Sequence, residues 1–316
     1  MEIILTVSSP PHIYGTDTIE KRMRDVLIAL APACIFSVYT YGFHTFIVMV
    51  VAVFSAVTAE FLFQRVTHKK VTINDYSAAI TGLLVAFNLP PDIPYWIPVL
   101  GSVFAIVAVK QLFGGLGANF VNPALAARAF LLASFPVHMT NWTLAPDATT
   151  SATYLAILKE NPGFVPQLSD YTALLFGNMG GCIGESSAFA LILGGVYLIA
   201  RKVINWRIPV CYIGTFALLA FVYGREGFFT GYVLFELISG GLLLGAFFMA
   251  TDYATSPISL RGKVIFGIGC GFLTYLIRFY GGYPEGVSYA ILIMNLFVPL
   301  IDKYIRPRVY GKRRKK

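Results

Sequence analysis

The stretch VLIALAPACIFSVYTYGFHTFIVMVVAVFSAVTAEFLFQRVTHKK, residues 26–70, decides the fold of this 316-residue chain. It contains two apolar blocks, 26–41 and 46–63, each close to the ~20 residues that a transmembrane helix needs. The turn between them is too short for anything but a helical hairpin. The basic run 65–70 then marks the cytoplasmic side, because Lys and Arg accumulate in cytoplasmic loops.

The composition extends this interpretation to the whole chain. Hydrophobic residues make up 57% and charged residues 13%, and the mean hydropathy is +0.70. A soluble domain has about 25% charged residues. The apolar residues also fall in long blocks and not in amphipathic stripes. We therefore predict an all-α polytopic membrane protein that forms a single membrane domain over residues 1–316.

Several further apolar blocks follow the first two. They lie at 77–88, 97–113, 124–135, 189–200, 208–223, 232–250, 264–280 and 287–301. The blocks 77–88 and 124–135 are too short to cross the membrane, so we expect short or broken helices there. Counting them predicts about ten helices. Both termini then lie in the cytoplasm, and the polar segment 136–185 lies outside.

A weak internal repeat accompanies this count. GLL at 82–84 and KQLFGG at 110–115 are echoed by GLL at 241–243 and RFYGG at 278–282. Equivalent segments are five helices apart, and five is an odd number of membrane crossings. The two halves must therefore run in opposite directions across the membrane. Chance similarity of Gly- and Leu-rich helices is the alternative. The predicted organisation is a first repeat at about 20–135, an outer loop at 136–185, a second repeat at about 186–305 and a basic tail at 306–316.

The net charge of +8 does not indicate nucleic-acid binding, since the Lys and Arg residues cluster in short loops and in the tail. That placement favours contact with anionic membrane lipid. The cysteines Cys34, Cys182, Cys211 and Cys270 are widely spaced, and we expect them to be small buried hydrophobes. A redox centre shared with another subunit's cysteines is the alternative.

The polar segment contains DATTSAT at residues 147–153. It resembles the flavinylation motif Asp-x-x-Ser/Thr-Gly-Ala-Thr, with Asp147 first, Ser151 in the place of Gly, and Thr153 last. On such a motif a magnesium-dependent flavin transferase moves FMN from FAD onto the last Thr as a phosphodiester. The resemblance thus implies covalent FMN on Thr153. We expect that residue to present a free hydroxyl on the outer loop.

The likeness extends along nearly the whole chain. The Gly-rich turn 114–118, Asn122-Pro123-Ala124 with Arg128, and ATDYAT at 250–255 resemble the family of the Rnf complex D subunit. The B subunit of the sodium-pumping NADH:quinone reductase is similar more distantly. In Rnf relatives Gly is common where Ala127 stands.

This resemblance implies a membrane flavoprotein subunit of an ion-translocating ferredoxin:NAD⁺ oxidoreductase in the bacterial inner membrane. Such a subunit relays electrons, works with the other Rnf subunits, and has no complete active site of its own. The transported ion is Na⁺ or H⁺. The resemblance also implies a second, non-covalent riboflavin within the helices, although no residue pattern marks its place. The ring of the flavin performs the electron chemistry, and Thr153 supplies attachment only.

Two further residues are candidates for cofactor binding. Arg128 lies in a short apolar helix, and a charge there is a functional hypothesis because burying it alone is costly. A flavin phosphate or a carboxylate is its expected partner, and snorkelling to the interface is the alternative. Asn122 precedes Pro123 in the pattern of a helix N-cap. It could also offer donors to a flavin, together with the preceding glycines.

Other polar residues in apolar blocks are less specific. We expect Glu60 and Lys110 to be interfacial. Glu236 could serve an ion path, pair with a cation of a partner subunit, or be a hydrogen-bonded group between helices. Asp252 could line a central site or simply end a turn.

Two other functions fit the membrane body. Inverted repeats with short helices also suit a permease or channel without a redox role. A structural scaffold with a vestigial flavin is the third interpretation. The motif ending at Thr153 separates the permease from the electron carrier, because only the latter needs a tethered flavin.

Overall fold

The structure is a computed structural model that describes residues 18–144, 149–150, 153–161, 164–177, 180–225 and 227–305. The first half contains α1 (Ile19–Tyr41), α2 (Phe43–Val66), a 3₁₀ turn (Ile73–Asp75), α3 (Ser77–Phe87), α4 (Trp96–Val103) with a π-helical continuation (Phe104–Gln111), and α5 (Pro123–Ser134). The middle segment contains α6 (Pro136–Met139), a short antiparallel pair of β1 (Thr143–Leu144) and β2 (Thr149–Thr150), α7 (Tyr154–Glu160), α8 (Leu168–Phe176) and a 3₁₀ turn (Ile183–Glu185).

The second half is also mainly helical. It contains α9 (Ala188–Ala200), α10 (Arg207–Val222), an antiparallel pair of β3 (Tyr223–Gly224) and β4 (Gly227–Phe228), α11 (Val233–Ile238), α12 (Leu242–Leu244) with a π-helical continuation (Gly245–Met249), α13 (Leu260–Tyr280) and α14 (Val287–Tyr304). In the described part of the chain, α1, α2, α13 and α14 are long and apolar enough to cross a membrane, and five shorter apolar helices accompany them. The prediction of a multi-pass helical membrane protein is confirmed.

The first hairpin is tighter than predicted. One residue, Gly42, separates α1 from α2, and α2 begins at Phe43 and not at residue 46. Gly42 has φ +85°, and its N–H donates to the carbonyl of Val38. A residue without a Cβ adopts this positive φ at little steric cost, so the chain reverses within a single residue.

The predicted helix 232–250 is not continuous. The chain leaves α11 at Ser239, passes through Gly240 with φ +67°, and resumes as α12 at Leu242. Arg278 of α13 compensates the break, since its Nη1 donates to the carbonyl oxygen of Glu236 at 2.6 Å and its Nη2 to that of Ser239 at 3.4 Å. Non-helical backbone at membrane depth persists where such partners satisfy it.

The helices pack through small residues. In the largest interfaces α2 lies against α3 and α4, α10 against α13, and α1 against α9. A Cβ on Gly194 of α9 would come within 2.2 Å of the carbonyl oxygen of Ala29 in α1. The α1–α9 contact joins the two halves of the chain, and its close approach depends on this glycine.

Two buried ion pairs complete the core. Glu60 of α2 and Lys110 of the first π-helix are 1% and 2% exposed, so the expectation that they are interfacial is wrong. The Nζ of Lys110 donates to Glu60 Oε2 at 3.0 Å and to Ser77 Oγ at 2.6 Å, while Gln111 Nε2 donates to Glu60 Oε1 at 2.6 Å. These contacts neutralise both charges inside the bundle, which removes the need to reach the interface.

Glu236 forms the second pair within its own chain. Arg225 Nε donates to its Oε1 at 2.7 Å, and Arg278 Nη1 lies 3.6 Å from its Oε2. Of the three roles expected for Glu236, the structure therefore supports that of a hydrogen-bonded group between helices, because both of its cationic partners belong to the same chain.

Substitution Gly194→Ala should destabilise the protein by about 1–3 kcal/mol, because the added methyl group collides with α1 backbone. The matched control is Gly214→Ala in α10, where a Cβ would meet nothing within 4 Å. The midpoint of thermal unfolding in detergent, followed by circular dichroism, measures both. Equal midpoints for the two variants would contradict the packing argument.

Removal of one partner of the Glu60–Lys110 pair should cost about 3–5 kcal/mol, since the other charge stays buried and unpaired. Glu60→Met and Lys110→Met should each lower the unfolding midpoint. The double variant should be more stable than either single variant. Lys303→Met, at an exposed lysine, is the control and should change little. Additive losses in the double variant would show that the pair is not energetically coupled.

Candidate functional site

Thr153 caps a helix at the edge of a cavity. Its backbone is extended, and its Oγ1 accepts a hydrogen bond from the N–H of Ala156 at 3.3 Å, as an N-cap threonine does. The residue is only 9% exposed. This differs from the expected free hydroxyl on an open loop, because α7 starts directly after Thr153 and draws the hydroxyl into its first turn. Asp147 and Ser151, the other residues of the motif, lie outside the described residues.

A hydrogen bond to α8 fixes the position of α7. The hydroxyl of Tyr154 donates to Asp170 Oδ1 at 2.7 Å, and the N–H of Gln167 donates to Asp170 Oδ2 at 2.8 Å. Burial, with the hydrogen bond to Asp170, raises the pKa of Tyr154 to about 12. The stabilising contribution of this phenol is therefore complete below its ordinary pKa of ~10 and is lost as the pH rises through the raised value. Leu155 and Leu158 of the same helix are buried.

The cavity beside Thr153 has a volume of about 710 Å³. Cationic, acidic and aromatic side chains line it, among them Arg128, Trp142, Lys159, Glu285 and Tyr289. Small-molecule sites of ~300–1,000 Å³ combine apolar and aromatic walls with a few polar groups. This cavity has the size and lining of such a site.

Arg128 is paired inside the protein. Its Nη2 donates to Glu285 Oε2 at 2.5 Å, and its Nη1 donates to Asn88 Oδ1 at 3.1 Å. Arg128 belongs to α5, Asn88 follows α3, and Glu285 precedes α14. The expected partner of Arg128 was a flavin phosphate or a carboxylate, and the structure shows the carboxylate of Glu285. The alternative, a guanidinium that snorkels to the membrane interface, is not what the structure shows.

A second carboxyl lies behind this pair. Glu185 and Cys182 come from the 3₁₀ turn before α9 and its N-terminal neighbour. The Sγ atom of Cys182 and one oxygen each of Glu185 and Glu285 lie within 4.8 Å of one another. The guanidinium of Arg128 in contact with Glu285 opposes a metal cation at this point, so we interpret the cluster as an ionic one without metal.

Asn122 lies at a different place. It caps α5, with Oδ1 accepting from the N–H groups of Ala124 at 3.0 Å and Leu125 at 3.3 Å, and its Nδ2 donates to Met249 O at 3.2 Å. It lines a separate cavity of about 90 Å³ together with Lys110 and Asp252. The structure thus brings Thr153 and Arg128 to one cavity and leaves Asn122 at another.

Comparison with known proteins gives the family. The family model described as "NQR2, RnfD, RnfE family" matches residues 6–311. This chain belongs to the NQR2, RnfD, RnfE family. The resemblance inferred from the motifs is confirmed.

Three relatives show how close the similarity within this family is. The D subunit of the Na(+)-translocating ferredoxin:NAD(+) oxidoreductase complex of Acetobacterium woodii is 50% identical over 98% of this chain and 96% of its own. The D subunit of the proton-translocating ferredoxin:NAD(+) oxidoreductase complex of Clostridium ljungdahlii is 46% identical over 98% and 97%. The D subunit of the ion-translocating oxidoreductase complex of Escherichia fergusonii is 35% identical over 99% and 100%.

The sequence did not single out three charged residues that lie in the larger cavity or next to it. Glu185, Glu285 and Lys159 stand in polar segments where a charged residue is ordinary. A carboxylate beside glycine just before an apolar block, as in Gly184-Glu185 and Glu285-Gly286, was the available signal. It is weak, because only the fold brings the two carboxyls together.

Substitution Tyr154→Phe should loosen α7 without unfolding the membrane helices. Loss of one hydrogen bond of about 1 kcal/mol should speed local opening roughly fivefold. Hydrogen–deuterium exchange at the amides of residues 154–160 measures this, with α13 as the internal reference. Tyr39→Phe, at a tyrosine that is 87% exposed, is the control. Unchanged exchange in α7 would mean that the Tyr154–Asp170 contact does not hold this segment.

Proposed function

We propose that this protein is a membrane flavoprotein subunit of an ion-translocating ferredoxin:NAD⁺ oxidoreductase complex, and that it carries FMN on Thr153. The observation that carries the proposal is that Thr153, the last residue of the flavinylation-like motif, borders a cavity of about 710 Å³. The names of the relatives support the complex, because those of Acetobacterium woodii and Clostridium ljungdahlii are called subunits of ferredoxin:NAD(+) oxidoreductases.

The cavity residues fit such a cofactor. A phosphodiester on Thr153 keeps one negative charge, and Lys159 lines the same cavity, where Arg128 is already paired with Glu285. Trp142, Tyr283 and Tyr289 offer faces on which an isoalloxazine ring stacks. The bound flavin supplies the electron chemistry, while these side chains hold and orient it and separate it from water.

The other parts of the reaction belong to partners. We propose that other subunits of the complex bind ferredoxin and NAD⁺, and that a flavin transferase modifies Thr153 during maturation. The coupling ion is Na⁺ or H⁺, and one relative is named for each of the two. A non-covalent riboflavin is part of the proposal. The cavity beside Asn122, of about 90 Å³, would have to widen to admit its ring.

The proposed architecture is about ten helices in two inverted five-helix repeats. In it, α11, α12 and the second π-helix form one broken helix. Charged residues stand at similar places in the two halves, since Glu60 and Lys110 lie near the ends of the second and fourth helices of the first half and pair with each other. In the second half, Arg225 follows the second helix and Arg278 lies in the last turn of the fourth, and both pair with Glu236 of α11 instead. We place the termini in the cytoplasm and Thr153 on the outer side of the bacterial inner membrane.

Substitution Thr153→Ala should abolish the covalent flavin. On a denaturing gel of the protein from cells that contain the transferase, the fluorescent band should disappear, because no acceptor oxygen is left. Thr153→Ser should keep the band. Thr140→Ala, at an exposed hydroxyl of the same segment that donates to Pro136 O, should keep it too.

Mass spectrometry of the native peptide around Thr153 decides between this function and its rivals. A mass increase of one FMN less one water supports the electron carrier. An unmodified peptide in the mature complex would favour a permease. Full electron transfer by an assembled Thr153→Ala complex would favour a scaffold.

A further inference from the structure

The hairpin of β3 and β4 turns its charge inward and its aromatic rings outward. Among its described residues Arg225 is the charged one. Its side chain is 13% exposed, and its Nε donates to Glu236 Oε1 at 2.7 Å. Phe228 is 68% exposed and Phe229 66%. A hairpin in water would bury the rings and expose the charge, so this arrangement indicates apolar surroundings.

The outward rings continue an exposed stripe of α10. Tyr223 and Phe228 lie opposite each other in the strand register, with ring centroids 5.1 Å apart. The ring centroid of Phe229 lies 5.5 Å from that of Phe221, the last member of the stripe. The stripe has the spacing of one helix face and consists of Val210, Gly214, Leu218 and Phe221. The hairpin therefore extends an apolar surface that runs along the helix.

The length of α10 places the hairpin near the end of the membrane thickness. α10 has 16 residues and is ~24 Å long, which is shorter than a hydrocarbon core of ~30 Å. Its neighbour α13 has 21 residues and is ~32 Å long. Basic residues stand in the first turns of both helices, Arg207 in α10 and Lys263 in α13. At the other end Tyr275 of α13 donates to Tyr223 O at 2.9 Å, so the hairpin lies beside the last turns of α13.

The backbone of the hairpin has the hydrogen bonds that a place next to lipid requires. The two strands pair with each other, and the N–H of Phe229 donates to Val222 O at 3.2 Å. The hydroxyl of Tyr275 satisfies the carbonyl oxygen of Tyr223. Unpaired backbone groups next to hydrocarbon are costly, because no water replaces the missing partners. These pairings allow the strands to lie at the edge of the hydrocarbon.

The side chains of this surface favour lipid over a helix of a partner subunit. Helix–helix interfaces in membranes are enriched in small residues and in polar groups that bond across the interface. Large apolar side chains dominate here, and α13 has an exposed stripe of the same kind, which consists of Ile265, Ile268, Phe272 and Tyr280. Aromatic rings at the end of such a stripe are typical of the boundary between hydrocarbon and lipid head groups.

We propose that the β3–β4 hairpin is a membrane anchor, with the rings of Phe228 and Phe229 in the glycerol region of one phospholipid leaflet. The phospholipid covers the surface that the protein leaves open, and the hairpin supplies the apolar length that α10 lacks. The pair of Arg225 with Glu236 keeps that cation out of the lipid. The anchor thus fixes the end of α10 relative to α11, which carries Glu236. It rests neither on the flavin nor on the other subunits.

Photo-cross-linking in native membranes identifies what covers the hairpin. Phe228 and Phe229 are replaced, one at a time, by p-benzoylphenylalanine, which keeps an aromatic ring and reacts with the molecule that lies against it. We expect phospholipid adducts in the mass spectrum of the peptide. Leu218, on the stripe of α10, is the positive control. Tyr171, half-buried against Phe235, is the negative control and should react only within the chain.

Fluorescence quenching measures the depth of the ring. The complex is reconstituted with nitroxide-labelled phospholipid, and the signal of the native complex is subtracted. A nitroxide near the glycerol should quench Phe228→Trp more strongly than a nitroxide at the chain end. The order should be reversed for Leu218→Trp, because that position lies ~8 Å further along α10 toward the membrane centre.

Three results would overturn the anchor. The first is a cross-link from Phe228 or Phe229 to another subunit, which would make this face a protein interface. The second is adducts within this chain only. The third is a Phe228→Trp signal that aqueous iodide quenches and neither nitroxide does. The Thr153→Ala complex should give the same lipid adducts as the native one, so these outcomes are independent of the flavin.

Discussion

The ion pair between Arg128 and Glu285 is the contact on which the centre of this molecule depends. A charge buried in a membrane protein costs several kcal/mol unless a partner neutralises it. Here the partners come from opposite halves of the chain, α5 and the turn before α14. Asn88 at the end of α3 and Gly241 at the helix break bind the same pair. Three interruptions of regular structure, at Asn88, Gly241 and Glu285, therefore meet Arg128 of α5 at one neutralised site.

The requirement that a buried polar or charged group has a partner also explains why the broken helix is stable. Between α11 and α12 the chain loses helical hydrogen bonds, and the hydrocarbon core offers no water to replace them. Arg278, which is fully buried, donates to two carbonyl groups there and lies beside the carboxylate of Glu236. One side chain thus satisfies the backbone and is itself neutralised. Hydrogen bonds and charge pairing within the chain thus stabilise the irregular backbone.

This arrangement gives the proposed flavin site its properties. Thr153 is held by the α7 cap, and α7 is held against α8 by Tyr154, so the attachment point is fixed and not mobile on a loop. The opposite wall carries Arg128 and Glu285. In the proposed function, a covalent link at this capped helix would hold the flavin at a constant distance from its donors and acceptors.

The sequence by itself determined the membrane class, the family and the motif around Thr153, and it predicted a flavin phosphate or a carboxylate as the partner of Arg128. Hydropathy and motifs are local properties, so residues adjacent in the chain suffice to reveal them. Tertiary structure alone decided that Glu60 and Lys110 are buried partners, that the helix breaks at Ser239, and that Glu185 meets Glu285. Each of these depends on groups that are far apart in the chain, and their charge is tolerated only because another helix supplies the partner.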